Sequence, residues 1–402
     1  MKIVYVVYRE DNTMVFNSQV LEYLNIMKKE HEVSLMVFRN HVNFFKKTKV
    51  ENKISKYVDN YVTLPSLPPL SMKQLDFDAS RLRRNLKPKY KKDKTLLIIC
   101  RGELATYIAN KAFSEYKNKN IFFDNRGLPI EELEMRNESS YIFKKNKEVK
   151  LKATLYAKDN SDIYSFVTNN LREYLLEKYN YSKDKPFFIM PTLSLNEEID
   201  EEELEGIKKE INYEEENFYV TYIGSIAAWQ NVDQIFDLFK RIKKEIPNAI
   251  LIFLTNGEIK LPQSLSTSLK KSIIIKSASH KQVKNYLQLS SVGLVLRNDD
   301  IVNKVAAPTK IAEYLTSNTP IIYDGEIGII EDLKKKNLGE ELIKLTDKNL
   351  MEKIITIDKR NVIKTKFNEY CAYFDMETNQ KEMLEEIIKI QNKEYRRIVK
   401  IN

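Results

Sequence analysis

Eleven short apolar runs rich in Val, Ile, Phe and Tyr punctuate the 402-residue chain, and the stretches between them are long enough to be helices. The first half holds IVYVVY, EVSLMVF, TLLIICR, NIFFD, IYSFVT and FFIMP; the second holds FYVTYIG, AILIFLT, SIIIKS, VGLVLR and PIIYD. Such alternation fits parallel sheets covered by helices on both faces. A chain of this length also exceeds what one hydrophobic core sustains. The sequence therefore predicts two doubly wound α/β domains, 1–195 and 218–375. An acidic linker over 196–217 would join them, inside LSLNEEIDEEELEGIKKEINYEEEN. A helix over 376–402 closes the chain, and its stripe of Met383, Leu384, Ile387, Ile388 and Ile390 is expected to pack back on the first domain. In open α/β sheets ligands bind beyond the carboxyl ends of the strands, which directs attention to a cleft between the domains.

Composition narrows the chemistry. No apolar run approaches the roughly 20 residues of a membrane span, and the start, MKIVYVVYRE, has no signal-peptide pattern. A cytoplasmic protein is expected, with Cys100 and Cys371 as reduced thiols. The three histidines, His31, His41 and His280, have no metal-ligand spacing, and His280 reads as a helix-cap residue. No metal is expected. G-x-S-x-G, P-loop and G-x-G-x-x-G patterns are absent. The lone Asp-x-Asp, Asp76 to Asp78, reads as surface loop. Residues 1–195 hold 35 basic and 23 acidic side chains, against 31 and 34 in 196–402. The basicity concentrates in RLRRNLKPKYKKDK (Arg81 to Lys94) and NFFKKTK (Asn43 to Lys49), a surface suited to an anionic membrane or acidic substrate, or simply a solvated loop. It lacks a nucleic-acid recognition motif, so no nucleic-acid partner is expected.

The most pointed stretch is NKVAAPTKIAEYLTSNTPII, Asn303 to Ile322. Proline suits the first helical position. Ala307 before it has no side-chain oxygen to cap the helix, so the first-turn N–H groups stay open to phosphate. Lys310 adds a cation, and Glu313, one turn on, can accept from a diol such as a ribose. An ordinary i, i+3 ion pair at a solvated helix start fits the same residues.

PTKIAEYL followed by TPII resembles the nucleotide-sugar segment of the GT4-type glycosyltransferases, which have the GT-B fold: two Rossmann-like domains facing a central cleft. The similarity continues along the chain in NSQVLEYLNIMKKEHEVSLM, CRGELATYIA, FFDNRGLPIEEL, SDIYSFVTNNLREYLLEKYN and VTYIGSIAAWQNVDQIFDLF. It implies Glu313 on the donor ribose, Thr309 and Lys310 on its diphosphate, and Gly224 and Ser225 beside the diphosphate and sugar. The chain departs from the family at three places. Ser225, with Trp229 and Gln230, stands where many members carry an Arg and a Lys; Val305 replaces the common first glutamate; and YREDNTMVF, after the first strand, lacks the usual glycine. Lys310 and Arg297, with Asn303 nearby, are the available substitutes for the missing positive charge. In the acceptor domain Arg101, Asp124 and Arg126 are candidates for catalysis, or for locking a loop, and Glu103 for acceptor binding.

The expectation is a retaining, metal-independent glycosyltransferase that needs no cofactor beyond its nucleotide-sugar co-substrate, UDP-linked in this reading. Its acceptor would be a glycan or lipid-linked glycan in bacterial surface polysaccharide synthesis, reached at the inner face of the membrane through the basic patch. A GT-B-fold sugar-nucleotide epimerase and a non-catalytic binding subunit are the alternatives.

Overall fold

The computed structural model describes residues 1–10, 14–40, 54–86, 96–136, 138–194, 199–226, 231–257, 259, 261–356 and 364–399. The chain forms two compact units: Met1–Pro191 together with the last segment from Gln380, and Thr192–Asn379.

The first unit is built on a seven-stranded parallel sheet of β1 (Lys2–Tyr8), β2 (Glu32–Asn40), β3 (Asn60–Ser66), β4 (Leu96–Arg101), β5 (Lys119–Asn125), β6 (Ile163–Phe166) and β7 (Phe187–Ile189), in the order β3-β2-β1-β4-β5-β6-β7. The inner strands are buried on both faces, which is why they read as continuous apolar runs rather than alternating ones. The chain reverses its winding between β1 and β4, so their carboxyl ends part to leave a crevice. The second unit repeats the plan with six parallel strands: β8 (Phe218–Ile223), β9 (Ala249–Leu254), β10 (Ile273–Lys276), β11 (Val292–Val295), β12 (Ile321–Tyr323) and β13 (Leu342–Lys344). Their order is β10-β9-β8-β11-β12-β13, and the switch point lies between β8 and β11. All eleven expected strands are present.

Two strands were not expected, β3 and β13. Each is an edge strand, and β3 carries Pro65, which an edge tolerates because the missing N–H faces no partner. The acidic stretch read as a linker is also corrected. It contains a helix, Glu201–Glu210, capped by Asp200 and seated in the second unit by buried Leu204, Ile207 and Ile211; residues 195–198 lie outside the described residues. Asp76 to Asp78 is likewise no surface loop. Leu75, Ala79, Leu82 and Leu86 line one side of the helix Met72–Leu86, and Asp78 is buried, accepting from the Tyr8 hydroxyl at 3.0 Å.

At the other end of the chain, the helix Met376–Val399 reaches the first unit's own residues: the Tyr23 hydroxyl donates to Met383 Sδ at 3.6 Å, and Gln391 donates to Asn120 at 2.7 Å. Of the basic stretch, Arg81 turns back on Pro65 O and Asp78, and Arg83 on Lys111 O and Ser114 Oγ. Asn43 to Lys49, His41 and the stretch's residues 87–94 lie outside the described residues. Cys100 and Cys371 form no disulfide. Among the described residues, no helix is long and apolar enough to cross a membrane.

Candidate functional site

In the second unit, the polar groups converge beyond the carboxyl ends of β8 and β11. Tyr314 explains how. Its ring packs where a Cβ on Gly293 of β11 would stand, and its hydroxyl enters the switch point, accepting from Ile223 N (3.1 Å) and donating to Thr221 O (3.0 Å). This fixes the short helix Thr309–Leu315 against both strands. The entry to that helix is pinned as well: Thr192 Oγ1 donates to Ala307 O (2.6 Å) and Ile329 N to Ala306 O (3.1 Å). At its exit, Asn318 takes a left-handed φ of 56° and Thr319 N returns to Tyr314 O. The helix starts one residue later than the sequence suggested. Pro308 is the N-cap, and Ile311 N is already bound by Pro308 O. One of the first-turn N–H groups that the sequence left open is therefore already taken.

Lys310 lies one turn before Tyr314 and is buried. Its Nζ sits 4.5 Å from the Tyr222 ring centroid and 3.0 Å from where a Cβ on Gly224 would be. Gly224 has φ 149°, so both conformation and close approach require glycine. Burial, reinforced by the charge of Arg297 and countered by Glu313, holds the Lys310 ammonium well below the usual lysine value. Arg297, just past β11, is itself lowered by burial, and its Nε is buried with no hydrogen-bond acceptor. Lys310 is buried and Arg297 half-buried near the same Tyr222, and the unspent Arg297 donor is a group that can attract an anion.

Glu313 is half-buried beside Lys310, Thr309 is half-buried, and Ser225 is exposed, its carbonyl accepting from Tyr222 Oη at 2.7 Å. Asn303 is turned inward: its amide donates to Asn298 O (3.1 Å) and Asp300 Oδ2 (2.8 Å), holding the loop after β11. Val305 is buried, so a carboxylate there would have to be accommodated inside the fold. Trp229 and Gln230 lie outside the described residues. The helix His280–Gln288 begins with a capping box between Ser279 and Gln282.

In the first unit, the crevice at the carboxyl ends of β1, β4 and β5 is a cavity of about 410 Å³. Arg101, Asp124 and Arg126 come together there. Asp124 lies 3.8 Å from Arg101 Nη1 and 3.6 Å from Arg126 Nη1, and it accepts from Ser165 Oγ at 2.8 Å. Arg101 and Arg126 line the cavity, while Asp124 is buried behind them. Arg101 also pairs with Glu10 at 2.6 Å; burial opposes its charge, but Glu10, Tyr5 and Asp124 more than offset that and raise its pKa. Glu103 also lines the cavity, 3.7 Å from Lys150.

The missing glycine after β1 has a structural answer. Arg9 takes the left-handed conformation itself (φ 63°), with its N–H on Phe38 O (2.7 Å) and its guanidinium on Ser66 O (2.8 Å). Sequence reasoning missed Arg9, Glu10 and Glu132. The first two occupy the positions just past the first strand of a doubly wound domain, where a switch-point rule would have looked; Glu132 carried no signal. Among the described residues, no cluster of three His, Cys, Asp or Glu side chains is placed to hold a metal ion.

No family model matches the chain, and no curated protein sequence matches it. Solved structures do. Sucrose-phosphate synthase from Thermosynechococcus elongatus matches with TM-score 0.66 at 13% identity, over 97% of this chain and 99% of that one. A glycosyltransferase from Rickettsia africae gives 0.66 at 13% identity, over 96% and 98%. Anabaena HepE, solved in complex with UDP, gives 0.66 at 10% identity, over 97% and 100%. The likeness is one of fold: two Rossmann-like parallel-sheet domains in one chain, the GT-B fold.

Proposed function

We propose that the chain transfers a sugar from a nucleotide donor, bound in the second unit, to an acceptor bound in the first. The observation that carries this is buried Lys310 against Tyr222 and Gly224 at the β8/β11 switch point, with Arg297, whose Nε is buried without an acceptor, just past β11. A fold shared with proteins solved with UDP adds support. In this reading Lys310 and Arg297 compensate the charge that develops on the diphosphate as the glycosidic bond breaks, replacing the family's Arg and Lys. Gly224 and Ser225 let backbone approach the diphosphate and sugar, Thr309 adds polar contact, and Glu313 accepts from the ribose hydroxyls. Asn303 supports the site indirectly by fixing its loop. The Arg101–Asp124–Arg126 cluster borders the acceptor.

The donor is UDP-linked, the reaction is metal-independent and retains anomeric configuration, and the leaving diphosphate takes the proton of the attacking hydroxyl. The membership this implies is GT4-like, with a glycan or lipid-linked glycan acceptor of bacterial surface polysaccharide synthesis, reached from the cytoplasm at the membrane face. UDP release from a panel of UDP-sugars, with and without glycan acceptors, tests the reading. Release that requires acceptor supports transfer; conversion of the donor without acceptor indicates epimerisation, and UDP binding without turnover in any combination refutes an enzyme. Loss of turnover in chelator refutes metal independence. Glu313→Ala should weaken UDP binding in calorimetry by roughly tenfold, the worth of one hydrogen bond to a charged group.

A further inference from the structure

The cavity of the first unit, about 410 Å³, falls in the range of roughly 300–1,000 Å³ typical of small-molecule pockets. Its unit is strongly basic, which would suggest an anionic ligand. The wall itself has the opposite character. Each cation on it already has an acceptor: Arg9 on Ser66 O, Arg101 on Glu10, Arg126 beside Asp124 and on Met190 O, and Lys150 near Glu103. A phosphate or carboxylate on the ligand would share these cations with the acceptors they already hold.

The unspent atoms are a carboxylate oxygen, which accepts, and a hydroxyl, which can accept or donate. Glu131 and Thr154 are both on the wall and both 3% exposed, and Glu131 Oε2 and Thr154 Oγ1 are buried without a hydrogen-bond partner. Glu131 Oε1, by contrast, takes the hydroxyls of Tyr174 (2.9 Å) and Tyr179 (2.8 Å) and pairs with Lys178 (3.0 Å). Glu132 also lines the cavity, and its Oε1 stands 2.8 Å from where a Cβ on Gly127 would be, so glycine leaves that carboxylate its place. Desolvation, with the negative charge of Glu103 and against that of Lys150, raises the Glu132 carboxyl. Ionised carboxylates only accept, so the ligand must bring donors. The rings of Tyr179 and Tyr181 supply apolar wall on one side.

We propose that this cavity seats a neutral, hydroxyl-rich sugar, and that Glu132 and Thr154 determine its specificity by binding sugar hydroxyls. Calling that sugar the acceptor rests on the transferase reading; its neutrality and its contacts do not. The same wall disfavours phosphorylated or acidic sugars, because Glu10, Glu103, Glu131 and Glu132 line it alongside its four cations.

Saturation-transfer NMR and calorimetry on the full chain test this, with the methyl glycosides of glucose, galactose, mannose and N-acetylglucosamine as probes. Glucose 6-phosphate and glucuronate serve as the anionic comparison, and UDP is titrated separately. At least one methyl glycoside should bind, glucose 6-phosphate should bind more weakly than methyl glucoside, and Glu132→Gln should weaken the bound glycoside roughly five- to tenfold, as expected when a charged hydrogen bond becomes a neutral one. Thr154→Val is a second, near-isosteric variant that should weaken it severalfold. Tighter binding of the anionic sugars, no glycoside binding, or affinity unchanged in both folded variants overturns the proposal. UDP binding without glycoside binding overturns this inference while leaving the donor site standing; glycoside binding without UDP binding does the reverse.

Discussion

Replacing Lys310 with methionine should make the second unit more stable and the donor site worse. Methionine keeps an unbranched apolar stem in the space beside Tyr222 and Gly224 but removes the ammonium. The folded-state pKa of Lys310 is depressed by burial and by Arg297, with Glu313 acting against the shift, so between that value and the ordinary value near 10.5 the unfolded chain binds more protons than the folded one. Wild-type stability therefore rises with pH through that window, and is diminished as pH falls. The variant lacks this dependence. Its advantage should be largest at neutral pH and shrink by up to about 1.4 kcal/mol for each pH unit toward 10.5. For a unit of this size, that is a change of about 3–6 °C in Tm per pH unit. Measuring between pH 7 and 9.5 avoids the ionisation of the buried tyrosines, which burial pushes upward; Tyr222 and Tyr314 are the nearest.

The same substitution should weaken UDP binding by roughly ten- to a hundredfold, since a charged hydrogen bond to phosphate is worth about 1.5–3 kcal/mol. Binding of the diphosphate should raise the lysine pKa, so calorimetry in buffers of differing ionisation enthalpy should show proton uptake by the wild type and less by the variant. A Tm gap that is constant or widens with rising pH, or unchanged UDP affinity, would refute the reasoning.

Substitutions at three further positions probe the framework. Gly224→Ala should lower both Tm and UDP affinity, because φ 149° is unfavourable for alanine and its Cβ would meet Tyr222 Oη at 2.9 Å and Lys310 Nζ at 3.0 Å; unchanged UDP affinity in calorimetry would show that Gly224 is not part of the site. Tyr314→Phe should cost about 1–3 kcal/mol in thermal unfolding by leaving Ile223 N without its acceptor at the switch point. Arg9→Gly should be nearly neutral, since relief of a left-handed backbone worth about 1–2 kcal/mol offsets loss of the bond to Ser66 O, whereas Arg9→Val should be clearly destabilising; equal Tm values for the two would contradict the role given to φ.

What the sequence determined by itself was set by local pattern. Strands buried on both faces must be continuously apolar, so all eleven expected runs are strands, and their alternation with helices dictated two parallel sheets. What it left unread also has local causes. Pro65 hid an edge strand, and a dense run of glutamates masked the spacing of Leu204, Ile207 and Ile211 that makes 201–210 a packed helix. The motif Tyr314 was legible as part of a pattern, but its task of joining β8 to β11 appears only once strands distant in sequence lie side by side.

The candidate sites divide the same way. Lys310 and Glu313 share a helix face, which a period of 3.6 residues reveals. That Arg297 adds its charge to Lys310, that Arg9 stands in for a glycine, and that a basic domain encloses a cavity whose cations are all engaged were decided by tertiary structure alone. Net charge is a sum over the chain, whereas the charge a ligand meets depends on which side chains the fold has already paired.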